Sequence, residues 1–226
     1  MVNQMVSQLR AEPPSSRDRL LAAAVAEFAA RGFDGAKVDR IAARARLNKA
    51  MLYYHFRSKA DLYRAILTEL FQSMTRAVSA ARDERLAPED QIRTFIRALA
   101  AQMAARPSYP AIWVREMAEG GRHVDASIVH ELRRVIEVLA GILQDGRRRG
   151  VFGDAHPIVT QMAIVGALLL FNASAPARER FRAIVPDFAA ATVPADAILH
   201  YVEKATLAAL APPAAVALPR KRRPRR

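Results

Sequence analysis

Residues 37–56 read KVDRIAARARLNKAMLYYHF, and their apolar positions recur at helical rather than strand spacing. Val38, Ile41, Ala42 and Ala45 stand at i, i+3, i+4 and i+7, which places them on one stripe of a short helix. Asn48 is a good N-cap, and beyond it Leu52 and Phe56 fall one turn apart on a second short helix. So few residues separate the two stripes that a tight turn must join them. The second helix carries a mixture that a core would reject, with Lys49, Ala50, Tyr53, Tyr54 and His55 around Leu52.

The flanking segments extend the pattern. Upstream, Ser15 or Ser16 caps a helix whose Leu20, Leu21, Ala24, Val25, Phe28 and Ala29 share a stripe, and Gly32 ends it. Downstream, Ser58 opens a fourth helix, with Asp61 three positions on as a shorter capping-box acid and Leu62, Ile66, Leu67, Leu70 and Met74 as its stripe. Further helices are expected at 88–105, 109–119, 127–149, 157–173 and 195–210, separated by Arg106-Pro107, Gly120-Gly121, Gly150 to Pro157 and Ala175 to Pro194. Strand signals are scarce, so the fold class is all-α.

Composition limits the alternatives. At 226 residues with 52% apolar types the chain can build a sizeable core, and with no cysteine neither a disulfide framework nor a thiolate zinc site can hold it. A reducing cytoplasm is the compartment this fits. The most apolar stretch, Ile158 to Phe171, is shorter than the ~18 residues that suggest a membrane span. There is no Gly-rich phosphate loop, nucleophile motif or metal-ligand spacing, so neither catalysis nor a cofactor is expected. His123 and His130 stand seven apart without a carboxylate cluster that would make them a metal site.

The net charge of +13 is unevenly spread: residues 1–60 carry +6, residues 61–219 carry +1 and the run Arg220 to Arg226 carries +6. A basic first quarter on a nearly neutral body suggests a polyanion-binding module, although solvation of a small domain produces the same count. The chain therefore divides into a disordered arm 1–14, a helix-turn-helix domain 15–75, a helical body 76–210 and a disordered basic tail 211–226. That tail either adds sequence-independent affinity for DNA or is simply solvated.

The mixed face of the third helix suits double-stranded DNA. A helix fits the major groove and reads base edges from its N-terminal residues, so the small Ala50 beside the cationic Lys49 permits close approach. Tyr hydroxyls and a histidine can bind phosphates. An ordinary helical hairpin with its aromatics packed on a neighbour would share the pattern.

The stretch from Arg17 to Leu67 resembles the N-terminal domain of the TetR/AcrR family. The resemblance rests on Ala23 and Phe28, the Arg31-Gly32-Phe33 exit, Ile41-Ala42, Leu52-Tyr53-Tyr54-His55-Phe56, Ser58-Lys59 and Asp61-Leu62. It implies that Lys49 and Ala50 contact bases, that Tyr54, His55 and Lys59 contact phosphates, and that Tyr53 does either. Two positions depart from the family pattern. Ala36-Lys37 stands where a Thr or Ser usually opens the second helix, which loses a cap worth ~1 kcal/mol unless Asp34 or a backbone contact compensates. Arg46 stands where the turn often has Gly, at a cost of roughly 1–2 kcal/mol if the left-handed geometry is kept. A phosphate contact would be one return for Arg46, and Lys37 joins it in the expected DNA-binding set.

The same resemblance implies a C-terminal domain that forms a homodimer and holds a largely apolar small-molecule inducer. Candidates for the pocket are Phe95, Leu99, Met103, Trp113, Met117 and Phe171, with Arg115, Glu116, His123 and His130 as polar groups to orient a ligand. Candidates for the dimer surface are Met162, Val165, Leu169, Leu199 and Val202, on two late helices of which the first is apolar nearly all round. Plain core packing is the alternative for either set. A ligand-responsive repressor of a near-palindromic operator is the resulting expectation. An activator of the same family and a helical adaptor that binds no DNA are the alternatives.

Overall fold

A computed structural model describes residues 13–187 and 193–213 and shows an all-helical chain. The helices are α1 (Ser16–Gly35), α2 (Val38–Arg44), α3 (Lys49–His55), α4 (Lys59–Ala81), α5 (Pro88–Ala105), α6 (Tyr109–Ala118), α7 (Ala126–Arg148), α8 (Pro157–Ala173), α9 (Ala175–Ile184) and α10 (Ala195–Leu210). Apart from residues 13–14 and 211–213, the expected arm and basic tail lie outside the described residues.

The helix starts follow side-chain chemistry. Ser15 caps α1 in a full capping box, its hydroxyl accepting from the Asp18 N–H while the Asp18 carboxylate accepts from the Ser15 N–H. At α4 the Ser58 hydroxyl accepts from the Asp61 N–H, but Asp61 reaches back to the N–H of Arg57, one residue before the cap. Gly32 breaks α1 as expected, with φ at 68°, yet one further turn follows, so the helix runs to Gly35.

The stretch Ala175 to Pro194, read from sequence as a connection, contains the ten-residue helix α9. Pro176 looks like a breaker but sits in the first turn, where a missing N–H costs nothing. None of α9's residues is buried, so it has no core-facing stripe to betray it.

Two apolar clusters organise the fold. The first joins Leu20, Phe28, Ile41, Leu52, Phe56 and Leu62 of α1–α4, with Tyr109 and Ile112 of α6 packed against them. The second lies among α4, α5, α7, α8 and α10 and includes Val78, Phe95, Leu99, Leu139, Ile164 and Val202. Helix α4 serves both, with Ile66 and Leu67 in the first and Val78 in the second, so a boundary at residue 75 falls inside an unbroken helix. Among the described residues no single helix is long and apolar enough to cross a membrane.

Gly146 shows how closely the body is packed. A methyl group there would stand 2.0 Å from the ring of Phe152, which is itself buried. Gly146→Ala is expected to destabilise the protein by about 1–3 kcal/mol despite the better helix propensity of alanine. Urea denaturation of the variant beside the parent protein measures this, and an unchanged midpoint would contradict it.

Candidate nucleic-acid interface and body cavity

The turn between α2 and α3 is a Schellman motif built on an arginine. The Arg46 N–H donates to the Ala43 carbonyl at 3.0 Å and the Leu47 N–H to the Ala42 carbonyl at 3.0 Å, while Arg46 takes φ of 54°. Among the described residues Arg46 alone has positive φ without being glycine. Its carbonyl and that of Ala45 both accept from the guanidinium of Arg19, at 3.0 and 2.5 Å, so α1 braces the turn from behind. Asn48 then caps α3 by accepting from the Met51 N–H at 2.8 Å.

At the start of α2 the lost cap is replaced by Glu27 of α1, and not by Asp34 as the sequence suggested. The buried Glu27 carboxylate accepts from the Lys37 N–H at 3.4 Å and from Arg40 Nε at 2.6 Å, with Arg31 at 3.5 Å. Burial pushes this carboxyl up, but the Arg40 hydrogen bond, the Lys37 N–H and the charges of Arg40 and Arg31 together bring it below its ordinary value. Asp34 pairs instead with Arg122 at 2.6 Å, beyond α6.

These braces leave one face of α2–α3 open. Lys37, Arg46, Lys49 and Ala50 are exposed, Tyr53 is 48% exposed and Tyr54 80%. Lys49 pairs with Asp39 across the turn at 3.1 Å, and the Asp39 hydrogen bond followed by its charge holds the ammonium above its ordinary pKa. The other two members of the expected set turn inward. His55 is half-buried with Nε2 2.7 Å from the Ser16 hydroxyl. Lys59 donates to the carbonyls of Phe33 at 2.9 Å and Ala36 at 3.2 Å and lies 4.4 Å from the centre of the Phe33 ring. Two of its three N–H donors are thus spent on the α1–α2 connection. Arg19, Glu27 and Asp39 were missed from sequence. The i, i+4 pairing of Glu27 with Arg31 was the one available signal, and it pointed only to a surface pair.

In the body, α4, α5, α6, α7 and α8 line a cavity of about 360 Å³. Of the expected pocket residues, Met103, Trp113 and Met117 line it. Phe95 and Leu99 are fully buried in the core and do not. Phe171 also lies elsewhere, its ring covered by the guanidinium of Arg178 at 3.9 Å. Of the expected dimer residues, Val165 and Leu169 are half-buried in the cavity wall, and Met162 lines it while remaining 68% exposed. Leu199 is half-buried and Val202 buried, both packed in the second cluster of the same chain. The outward face of α8 and α10 includes Met162 together with Val159, Ala163, Ala167, Leu170 and Tyr201.

Arg115, Glu116 and His123 do not line the cavity but sit where the body meets α1 and α4. Arg115 donates to the Phe28 carbonyl at 3.3 Å. The fully buried Glu116 accepts from the His123 N–H at 2.7 Å and stands 3.0 Å from His123 Nδ1, and the His123 ring lies 3.9 Å from that of Phe33. Burial, with the charge of Glu116, pushes the ionisation of the neighbouring Tyr63 hydroxyl upward. His130 is exposed beside the Ala126 carbonyl at 2.9 Å. Among the described residues no group of three His, Cys, Asp or Glu is placed to hold a metal ion.

Two family models match the chain. "Bacterial regulatory proteins, tetR family" covers residues 20–66, and "Tetracyclin repressor-like, C-terminal domain" covers 85–169. The chain is 31% identical to the HTH-type transcriptional repressor SCO4008 of Streptomyces coelicolor, across 75% of this chain and 84% of that protein. It is 28% identical to the repressor NicS of Pseudomonas putida, over 69% and 74% respectively. The solved structure of the regulator FadR from Bacillus subtilis in complex with stearoyl-CoA shares the fold, with a TM-score of 0.66 at 16% identity over 85% of this chain and 98% of that one.

Two expectations follow for the braced turn. Arg46→Gly relieves the left-handed strain and is expected to raise stability by about 1 kcal/mol in urea denaturation, whereas an arginine favoured in this turn by other contacts would make the change destabilising. Glu27 has a folded pKa below its unfolded one, so its stabilisation is present above the ordinary glutamate value of 4.5 and is lost as pH falls through the folded pKa. Glu27→Gln is therefore expected to be less stable than the parent at pH 7, with the difference shrinking below pH ~4.5. A pH-independent difference in thermal midpoint would count against that role.

Proposed function

The chain belongs to the TetR family of bacterial transcriptional regulators, and from that premise we propose that it is a ligand-responsive repressor that binds a near-palindromic operator as a homodimer. The observation that carries the DNA-binding part is the open face of α2–α3, where Lys49, Ala50, Tyr53 and Tyr54 stand clear of the core at the start of a capped helix. Lys49 and Ala50 reach base edges in the major groove. Tyr54, Lys37 and Arg46 hold phosphates on either side, and His55 and Lys59 keep the reading helix in place from behind. Asp39 holds Lys49 in the free protein and gives it up to the base it reads.

The outward face of α8 and α10 supports pairing of two copies. Val159 is 64% exposed, Leu170 65% and Tyr201 69%, and the small Ala163, Gly166 and Ala167 between them let a second pair of helices approach closely. Paired copies present their reading helices to successive major grooves about 34 Å apart. Such a repressor acts in the cytoplasm, where its operator lies.

The cavity supports control by a small molecule. Leu70, Phe71 and Met74 of α4 and Trp113 and Met117 of α6 line it, while Ile66 and Leu67 of α4 and Ile112 of α6 pack in the cluster that holds α1. An occupant that pushes α4 and α6 apart therefore moves the DNA-binding helices directly, and spoils their spacing in the dimer. A hundredfold loss of operator affinity requires a preference of ~2.7 kcal/mol for the non-binding arrangement.

Fluorescence anisotropy against DNA from upstream of the protein's own gene, with scrambled DNA as control and over a salt series, tests the reading. Specific binding is expected, lost in Lys49→Ala, several-fold weaker in Tyr54→Phe, and weaker with a shallower salt dependence in Arg46→Gly. Equal and steeply salt-dependent binding to both DNAs, unaffected by Lys49→Ala, would refute the assigned face.

A further inference from the structure

We propose that the basic run Arg220 to Arg226 holds a second DNA duplex, of any sequence, at the pole of the protein opposite the operator, so that one repressor joins two stretches of DNA. The inference goes beyond the operator reading and rests on it only for which pole faces the operator.

Residues 214–226 lie outside the described residues, but their point of departure does not. Helices α4 and α7 run side by side in one direction. Arg64 lies 3.8 Å from Asp125 near the two starts, the Thr75 hydroxyl donates to Glu131 at 3.0 Å, and the Arg149 guanidinium donates to the Glu84 carbonyl at 3.3 Å past the two ends. Lys59 ties the start of α4 to the α1–α2 connection, and so to the DNA-binding helices. At the opposite end, just past α7, the Gly153 N–H donates to the Leu210 carbonyl at 2.9 Å, so α10 finishes there with Pro212 beside Gly153. The whole length of α4, about 34 Å, therefore separates the root of the tail from the operator face. A chain drawn straight covers at most about 3.6 Å per residue, which takes Arg220 about 25 Å from Pro213 and Arg226 about 47 Å. Most of the run falls short of the operator, and its last residues reach that level only by giving up nearly all their conformational freedom.

The body around the root does not take the tail in, because its acids are already matched. Asp83 pairs with Arg85 and Glu84 with Arg82, each at 2.8 Å. Asp145 pairs with Arg148 and Arg149 at 2.9 Å, and Asp154 with Arg147 at 2.6 Å. In the first turn of α5, Asp90 pairs with Arg93 at 2.8 Å. Glu89 alone of these acids meets no arginine among the described residues, and one carboxylate does not hold six cations. The run is thus left for an outside polyanion. Residues 214–226 contain no acid and no aromatic residue, so they offer charge without the stacking surface that single-stranded nucleic acid uses. Duplex DNA is the polyanion at hand, since a protein seated on an operator has neighbouring stretches of the same molecule held at high effective concentration.

The test is a capture experiment with the full-length protein. Operator DNA fixed sparsely on beads is saturated with protein, and a fluorescent duplex of scrambled sequence is added over a salt series. The parent is expected to retain the second duplex, with a log–log salt slope of about −5 for each engaged tail. A full-length variant with Arg220, Lys221, Arg222, Arg223, Arg225 and Arg226 all changed to Gln is expected to capture at least about tenfold less, while its operator affinity by anisotropy changes less than about twofold and keeps its salt slope. Equal capture by that variant overturns the proposal, and so does an operator salt slope made shallower by several units, which puts the tail on the operator duplex itself. Preferential retention of phosphatidylglycerol vesicles at the same ionic strength overturns the choice of DNA. Lys49→Ala, tethered through an N-terminal tag, separates the proposal from the reading beneath it. Capture of scrambled duplex by this variant, abolished by the six tail changes, supports the tail assignment even where no specific operator binding is found, whereas specific operator binding without a second duplex removes the tail assignment alone.

Discussion

The structure depends on one helix having to satisfy two cores. Over 23 residues α4 rises about 34 Å, and its apolar stripe passes without a break from the cluster that packs the DNA-binding helices to the one that packs the body. A continuous hydrogen-bonded rod transmits a displacement along its length with little loss, because bending it requires a kink that needs a cause such as Pro or Gly. Neither residue occurs between Lys59 and Ala81. The middle of the same rod, at Leu70, Phe71 and Met74, is part of the cavity wall. Helix α6 runs beside it with a similar division of labour, its Trp113 and Met117 toward the cavity and its Arg115 and Glu116 toward α1 and α4.

Against that rod the DNA-binding helices are held by polar braces as well as by apolar packing. Arg19 takes the turn carbonyls, Glu27 takes the open N–H at the start of α2, and Lys59 takes the carbonyls at the end of α1. Each donates to or accepts from backbone groups that a helix end or tight turn leaves over. Arg46 tolerates its left-handed conformation in this setting because its own N–H and that of Leu47 close the motif and its carbonyl is bonded from behind. The residues that brace are thus distinct from those that face outward, and the division runs through a single short motif.

Much of this was legible in the sequence. The stripes of α1 to α4, the caps at Ser58 and Asn48 and the outward mixture on α3 are local properties, set by residues three or four apart, and the periodicity exposes them. What was not legible depends on partners far along the chain. Asp34 and Glu27 are both acids near the start of α2, and only the fold decides that the first goes to Arg122 and the second to Lys37 and Arg40. Lys59 reads as a surface cation but is drawn in by two carbonyls and an aromatic face. Phe95, Leu99 and Phe171 have the composition of a pocket, yet helical spacing does not say whether a large apolar side chain meets another side chain or a void. Helix α9 was missed because it buries nothing and carries a proline in its first turn.

Helix α8 turns three faces to three different surroundings. Ile164 and Leu168 enter the core, Gln161, Val165 and Leu169 line the cavity, and Val159, Ala163, Ala167 and Leu170 look outward. Seventeen residues leave almost no position on this helix that belongs to none of them. In evolutionary terms, a substitution that reshapes the cavity must be compatible with the rotation and tilt that the core and the outer face also require. Chemical preference and outward packing on this helix are therefore inherited as a linked trait. Divergence in the body is expected to proceed by coordinated change along α8, not by replacing one wall residue at a time.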